Sequence, residues 1–142
     1  MTITYTYQIA LADYQALRHA VGWPKIEEKM AEIGLKNSQY IIFAIYNGKT
    51  IGMARVIGDG GYYMTVVDVI VLPEYQGKGI GKTMMQKVME YSQSCVSGKQ
   101  IANVALFSAK GREPFYEQHG FVARPDENFG AGMMMYVRGV IE

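Results

Sequence analysis

The residues between positions 76 and 83 are the part of this 142-residue chain whose types and spacing point to chemistry. They read Gln76-Gly77-Lys78-Gly79-Ile80-Gly81-Lys82-Thr83 and follow a β-branched run. A strand that enters a glycine-rich turn and then a helix directs several backbone N–H groups and a positive helix end toward one point. Glycines let an anion approach the backbone, and the two lysines add positive charge. The pattern predicts a phosphate or pyrophosphate site.

Two nucleotide-binding signatures match this loop incompletely. A Walker A loop would end at Gly81-Lys82-Thr83, but its required first glycine falls on Gln76. The dinucleotide fingerprint needs its third glycine at Lys82 and an opening β-α-β unit, which this chain lacks. A nucleotide kinase or NTPase is therefore the least favoured of the functions considered.

The remaining sequence predicts the elements that position this loop. Runs of β-branched and aromatic residues predict strands at residues 2–9, 39–46, 50–57, 62–72, 101–107 (a buried strand), 121–124 and 133–140. Apolar residues at helical spacing and terminal signals predict helices at residues 11–21, 24–34, 79–95 and 112–119. Asn47-Gly48 is a strong hairpin signal. The order β-α-α-β-β-β-α-β-α-β-β predicts an α/β fold with a mixed sheet (α+β), antiparallel at first and then a right-handed parallel β-α-β unit.

Length and composition narrow the class of protein. The chain fits one domain, residues 1–142. A net charge of +1 without a basic run argues against nucleic acid as a partner. The single cysteine, Cys95, gives no internal disulfide or zinc spacing and suits a reducing setting. The N-terminus does not resemble a signal peptide, and no apolar run is long enough to span a bilayer. We expect a cytoplasmic protein with no metal and no membrane partner.

Beyond these physical features, the loop resembles a known acyl-CoA signature. Gln/Arg-x-x-Gly-x-Gly/Ala is typical of the GNAT superfamily of N-acetyltransferases, and it is matched in place by Gln76, Gly79 and Gly81. Two further stretches are similar to the family's strand-four ending and second motif: Val71-x-Pro73 and Phe115-Tyr116-x-x-x-Gly120-Phe121. The resemblance covers nearly the whole chain, including the element order. It implies a GNAT-like acyl-CoA N-acyltransferase fold in a small, bacterial-type, single-domain member.

The resemblance also implies the donor, acetyl-CoA (coenzyme A), and the residues that would bind it. The pantetheine arm would pair with the backbone of residues 69–71, where a bulge or splay leaves donors free. The pyrophosphate would bind the N–H groups of residues 77–82, and the backbone N–H of Val71 would be the oxyanion donor. The implied cofactor-binding residues are Val69, Ile70, Val71, Gln76, Gly77, Lys78, Gly79, Ile80, Gly81 and Lys82.

Two residues are candidates for catalysis. Tyr116 matches the family's frequent general acid, a phenol that protonates the departing thiolate. Where some relatives place a basic glutamate on the strand, this chain has Val67, so the neighbouring Asp68 is the candidate base, acting through water. The alternative for Asp68 is a carboxylate held by backbone donors at the splay. His19 and His119 are further candidates for the base.

Acceptor recognition is expected on the N-terminal helices, which roof the acceptor side in this family. Trp23, in the break between the two helices, and Tyr62 are the candidate substrate-binding residues. The predicted function is transfer of an acetyl group to a primary amine of a small molecule or peptide, directly within a ternary complex. Ala109 replaces the family's usual asparagine, so a non-catalytic acyl-CoA sensor or interaction module is the alternative. A homodimer is a further expectation.

Overall fold

The computed structural model describes residues 1–8 and 10–141, which fall into two compact units, Met1–Leu106 and Phe107–Glu142. Part of the first predicted strand, Ile9, lies outside the described residues. The assignment of residues 1–142 to one domain stays a prediction, because compactness alone does not decide whether two units fold independently.

The described residues of the first unit form nine elements in the predicted order. They are β1 (Thr4–Thr6), α1 (Leu11–Ala20), α2 (Glu28–Lys36), β2 (Tyr40–Tyr46), β3 (Lys49–Gly58), β4 (Tyr63–Val71), a 3₁₀ turn (Pro73–Tyr75), α3 (Ile80–Ser94) and β5 (Asn103–Leu106), where the turn was not predicted. The second unit contains α4 (Glu113–Glu117). The α/β class is confirmed. None of the described helices is both long and apolar enough to cross a membrane.

The five strands form one mixed sheet in the order β1-β2-β3-β4-β5. All neighbours are antiparallel except β4 and β5, which are parallel and joined through α3. The hairpin between β2 and β3 turns at Asn47 and Gly48, with φ of 48° and 74°. Two positive φ values in a two-residue loop are the geometry that Asn-Gly favours, so the predicted hairpin is confirmed. The parallel pairing of β4 with β5 confirms the predicted parallel unit.

Helices cover both faces of the sheet. On one face of β3, a Cβ placed on Gly52 would lie 3.2 Å from the terminal methyl of Met84 in α3. On the opposite face, the guanidinium of Arg55 lies 5.7 Å from the ring of Tyr14 in α1. Side chains alternate between faces along a strand, so α1 and α3 pack on opposite sides. The buried apolar side chains of α3 recur at helical spacing and complete this core: Ile80, Met84, Met85 and Val88.

The bounds of α2 differ from the prediction at both ends. The helix begins at Glu28 rather than at Pro24, because the Glu27 side chain accepts a hydrogen bond from a backbone N–H three residues later and caps the helix there. It continues past Gly34 to Lys36. Gly34 is not among the glycines with positive φ, so it does not form the left-handed terminus with which a glycine commonly ends a helix.

The apolar face of α2 is exposed. Met30 and Ile33 are 68% and 60% exposed, and the buried residue of the helix is Ala31. The burial predicted for β5 is also wrong, because its residues are exposed or half-buried and Ile101 and Phe107 at its flanks are exposed. Tertiary packing overrides sequence periodicity at both places.

The two C-terminal strands expected at residues 121–124 and 133–140 are not formed. A strand requires a hydrogen-bonded ladder, and the sheet consists of β1 to β5. Met133, Met135 and Val137, which lie in the second of these segments, are 88%, 78% and 86% exposed. Their β propensity therefore has no partner to act through in the described part of the chain.

Candidate functional site

A β-bulge interrupts the pairing of β4 with β3. Arg55 lies opposite Val67 and Met53 lies opposite Ile70, so two residues of β4 stand against one of β3. Asp68 is in the bulge and has φ of 53°, a left-handed conformation that is uncommon for residues other than glycine. The bulge expected in this strand is confirmed.

The bulge decides which backbone groups of β4 are free. The N–H of Leu72 donates to the carbonyl of Ile51 at 2.9 Å, so Leu72 faces β3. Successive residues of a strand face opposite sides, and therefore the N–H groups of Val69 and Val71 point away from β3. On that side β5 ends at Leu106, opposite Val66. Within the first unit, β4 thus presents backbone donors beyond the end of its parallel neighbour.

The glycine-rich loop leads directly from this strand into α3. Gly77 and Gly79 have φ of 76° and 83°, and a Cβ at either position would meet nothing within 4 Å. The N–H of Thr83 donates to the carbonyl of Gly79, and no side chain caps the helix at that residue. The N–H groups of residues 80–82 lack intrahelical acceptors and stand at the positive helix end. Open space, free donors and the exposed Lys78 and Lys82 fit a diphosphate.

Gln76 connects the loop to the strand. Its Nε2 donates to the carbonyl oxygen of Val71 at 2.9 Å. The backbone carbonyl of Val71 faces the open side of β4. The Gln76 side chain therefore satisfies the last hydrogen-bond acceptor of the strand before the loop begins. The sequence predicted only that Gln76 helps to bind the pyrophosphate.

Asp68 is the centre of a polar cluster that the sequence did not reveal. Oδ2 accepts hydrogen bonds from the hydroxyl of Tyr14 at 2.7 Å and from Nε of Arg55 at 3.0 Å, and it lies 2.9 Å from Arg55 Nη2. Oδ1 accepts from Nη1 of Arg18 at 3.1 Å. The donors are therefore side chains rather than the backbone groups considered above. The available signals were the i, i+4 spacing of Tyr14 and Arg18 and an arginine inside the buried strand β3.

The two arginines extend this cluster to the helices. Arg18 donates from Nε and Nη2 to the carbonyl of Pro24 at 3.3 and 3.1 Å, and its Cζ lies 5.3 Å from the ring centroid of Trp23. Arg55 donates from Nη1 to the carbonyl of Gly34 and to the hydroxyl of Ser38. The predicted substrate residue Trp23 thus has a guanidinium of the same chain over its ring.

The other predicted substrate residue, Tyr62, begins the segment that leads into β4. It is exposed, its ring meets that of Tyr63 edge-on at 4.8 Å, and its carbonyl accepts a hydrogen bond from the N–H of Asn103. Tyr62 is therefore fixed through its backbone at the start of the β4–β5 pair, with its side chain accessible.

A pocket of about 590 Å³ opens on the α1 side of the first unit. Its apolar lining includes Leu17 and Leu72, and three charged residues also line it, Asp13, Lys49 and Glu74. Lys49 and Glu74 approach each other to 3.9 Å. Neither Val69 nor Val71 is among the residues that line this pocket.

The candidate acid lies in the second unit. Tyr116 is on α4, half-buried, with its ring 5.0 Å from that of Phe115 and 6.3 Å from that of Phe121. Burial raises the pKa of the Tyr116 phenol above its usual 10.0, and the positive charge of Arg112 opposes part of this rise. A phenol in this environment stays protonated at neutral pH.

Comparison with known proteins identifies the family. The acetyltransferase (GNAT) domain model matches residues 37–123. An uncharacterized N-acetyltransferase, ycf52, of Pyropia yezoensis is 34% identical over 134 residues, covering 92% of this chain and 74% of the relative. The histone acetyltransferase TAP1 of Glycine max is 33% identical over 126 residues, covering 80% of this chain and 52% of the relative.

A solved structure agrees with these relatives. The crystal structure of a probable acetyltransferase from meticillin-resistant Staphylococcus aureus superposes with a TM-score of 0.82 at 32% identity, covering 95% of this chain and all of that one. The chain therefore belongs to the GNAT superfamily of N-acetyltransferases, and it is an acetyltransferase enzyme. Family membership also disfavours the non-catalytic sensor considered from the sequence.

Proposed function

We propose that this enzyme transfers the acetyl group of acetyl-CoA to a primary amine of a small molecule or peptide, directly within a ternary complex. The observation that carries the proposal is the continuity of the outward-facing backbone of β4 with the open glycine loop. Together they offer an extended row of donors that ends at a helix N-terminus, which suits a long ligand with a diphosphate.

Each part of the donor site has a defined task. Acetyl-CoA supplies the acetyl group as a thioester. Residues 69–71 would bind the pantetheine arm through their backbone, and residues 77–82 would bind the pyrophosphate through N–H groups, supported by the charges of Lys78 and Lys82. The N–H of Val71 would donate to a carbonyl oxygen on which negative charge develops, which is the oxyanion role.

Tyr116 would act as the general acid. The departing group is a thiolate, and a protonated phenol is a suitable group to protonate it. The raised pKa of Tyr116 supports this role because the acid form persists across the physiological range.

Asp68 was the candidate base, and this role stays a prediction. Four nitrogen or oxygen donor atoms from three side chains surround its two oxygens, so few lone pairs are left for a water. The geometry favours a positioning role, with the acceptor amine losing its proton to solvent or to a group in the acceptor site. Trp23 and Tyr62 remain the proposed acceptor-side residues.

A reducing, cytoplasmic location and a homodimer are further proposals. Cys95 is exposed and free, which suits a compartment where thiols stay reduced. Light scattering on the eluting protein measures the oligomeric state directly, and a monomer at micromolar concentration would contradict the dimer.

Calorimetry and thermal melting with acetyl-CoA, coenzyme A, ATP-Mg²⁺ and NAD⁺ test the proposed donor. A ligand that binds only the folded state at a hundred times its Kd stabilises the protein by about 2.7 kcal/mol. We expect stabilisation by acetyl-CoA and coenzyme A alone. Release of free thiol with a panel of aryl, alkyl, polyamine and peptide amines then tests transfer. Stabilisation by ATP or NAD⁺ alone would show that the loop binds a different ligand.

A further inference from the structure

Positive charges outnumber negative ones in the cluster around Asp68. Two guanidinium groups bind one carboxylate, and the side chains of Arg18 and Arg55 are only 13% and 12% exposed. A buried ion pair is weak evidence for stability, so the geometry that it imposes is its more informative property. In this cluster the carboxylate belongs to the extra residue of a β-bulge.

The cluster holds Asp68 in a backbone conformation that its residue type disfavours. Side chains from α1 and β3 fix the carboxylate from two directions while φ stays at 53°. With Asp68 as the extra residue, Val69 and Val71 face away from β3. If the strand lost the bulge by slipping one residue, their N–H groups would turn toward β3. The cluster therefore fixes the face of β4 to which donor binding is assigned.

Arg18 connects this bulge to a second place in the fold. One nitrogen of its guanidinium donates to Asp68, the other two donate to the carbonyl of Pro24, and the group lies over the ring of Trp23. Arg55 binds the same carboxylate but reaches the end of α2 instead. The planar guanidinium group of Arg18 thus connects β4 to residues 21–27, which form the joint between α1 and α2.

We propose that Arg18 is a positioning residue, which sets the joint between α1 and α2 against the bulge of β4 and so aligns the acceptor side with the donor strand. The inference rests on the proposed function, which assigns the donor to β4 and the acceptor to this joint. Lysine cannot replace Arg18, because an ammonium is a point charge that does not span Asp68 and Pro24 with fixed geometry.

Trp23 is the only tryptophan of the chain, so its emission reports on the joint without interference. The test is titration of coenzyme A into the wild type, Arg18→Lys and Arg55→Lys, with tryptophan excited at the red edge and binding measured in parallel by calorimetry. Arg55→Lys is the matched control, because it alters the same carboxylate with equal burial but does not touch Trp23.

We expect coenzyme A to change Trp23 emission in the wild type and in Arg55→Lys. In Arg18→Lys this change in emission should be largely lost, because the joint is no longer held to the bulge. The Kd for coenzyme A should stay within about threefold of wild type, since Tyr14 and Arg55 still hold the bulge. If Arg18→Lys does not fold, Arg18→Gln replaces it with the same expected loss, because a neutral amide cannot hold the Asp68 carboxylate and the Pro24 carbonyl together, while Asp68 keeps its bonds to Tyr14 and Arg55.

Two results would overturn the inference alone: coenzyme A binds but Trp23 emission does not respond, or Arg18→Lys responds like the wild type. If calorimetry shows no binding of coenzyme A to the wild type, the proposed function fails first and the inference fails with it. Circular dichroism melts of all variants separate these outcomes from loss of folding.

Discussion

Gln76 and Val71 are joined by a hydrogen bond of 2.9 Å from the side-chain amide to the strand carbonyl, across the four residues (72–75) that separate the end of β4 from the glycine loop. A hydrogen bond between a loop side chain and the end of a strand fixes the direction of the chain as it leaves the strand and enters the next helix. The relationship makes Gln76 part of the strand end as well as part of the loop.

Gln76→Glu should therefore weaken coenzyme A binding. Glutamate cannot donate to the Val71 carbonyl, and its charge opposes a diphosphate at the same loop. Loss of one hydrogen bond, about 1 kcal/mol, together with this repulsion predicts roughly a tenfold rise in Kd. Calorimetric titration measures it. Gln86→Glu, which places the same charge at an exposed position within α3, is the control; an equal loss of affinity in both variants would mean that charge alone matters.

Gly79→Ala should reduce coenzyme A affinity through backbone geometry. Alanine at φ of 83° costs about 1–2 kcal/mol, and relief of that strain would turn the first N–H groups of α3 away from the loop. Gly98→Ala is a matched control, because Gly98 also has positive φ, at 56°, and open space around a Cβ. Thermal melts should show similar losses of stability for the two variants, whereas only Gly79→Ala should bind coenzyme A more weakly. Equal affinity would argue against the loop as the diphosphate site.

Local signals explain why the loop and the sheet were predictable. Positive φ values occur at Gly77, Gly79 and the Asn47-Gly48 pair, and glycine and asparagine are the residues that adopt them most readily. The helical spacing of apolar residues in α3 is visible within its own 15 residues. The family motif then gave the function class, since its residues coincide with that geometry.

Features that depend on partners distant in sequence were missed. Asp68 bonds to residues 50 and 54 positions away. The i, i+4 spacing of Tyr14 and Arg18 places them on one face of α1, but it does not identify Asp68 as their partner. The same limit applies to the exposed face of α2 and to residues 133–140, where apolar spacing is correct for an element but the packing partner decides whether it is buried or paired.

Tyr40→Phe should make the stability of the protein less sensitive to high pH. Burial, followed by the neighbouring Tyr7, raises the pKa of Tyr40 from 10.0 to about 12. A raised folded-state pKa gives stability that is complete below pH 10 and is lost as pH rises toward 12, because the unfolded state releases its proton first. Urea unfolding at pH 9, 10 and 11 should show a shallower decline for Tyr40→Phe than for wild type, with the exposed Tyr62→Phe as control. Parallel declines in all three proteins would contradict the assignment.

Tyr116→Phe should lower kcat for the most active amine of the panel by about a hundredfold, at the lower end of what a positioned general acid contributes. Phenylalanine keeps the ring contacts with Phe115 and Phe121, so folding and the Kd for coenzyme A should change little. Tyr136→Phe, an exposed tyrosine of the same unit, is the control and should retain wild-type turnover.

The pH profile separates an acid from a residue that merely packs. Burial raises the pKa of Tyr116, so the wild type should keep its acid form through neutral and mildly alkaline pH and lose kcat only above pH 10. The rising limb at lower pH, set by deprotonation of the acceptor amine, should appear in both proteins. Tyr116→Phe should lack the falling limb, because it has no phenol to ionise. If Tyr116→Phe turns over within about twofold of wild type, the thiolate leaves without this proton, since a catalytic acid contributes far more than that.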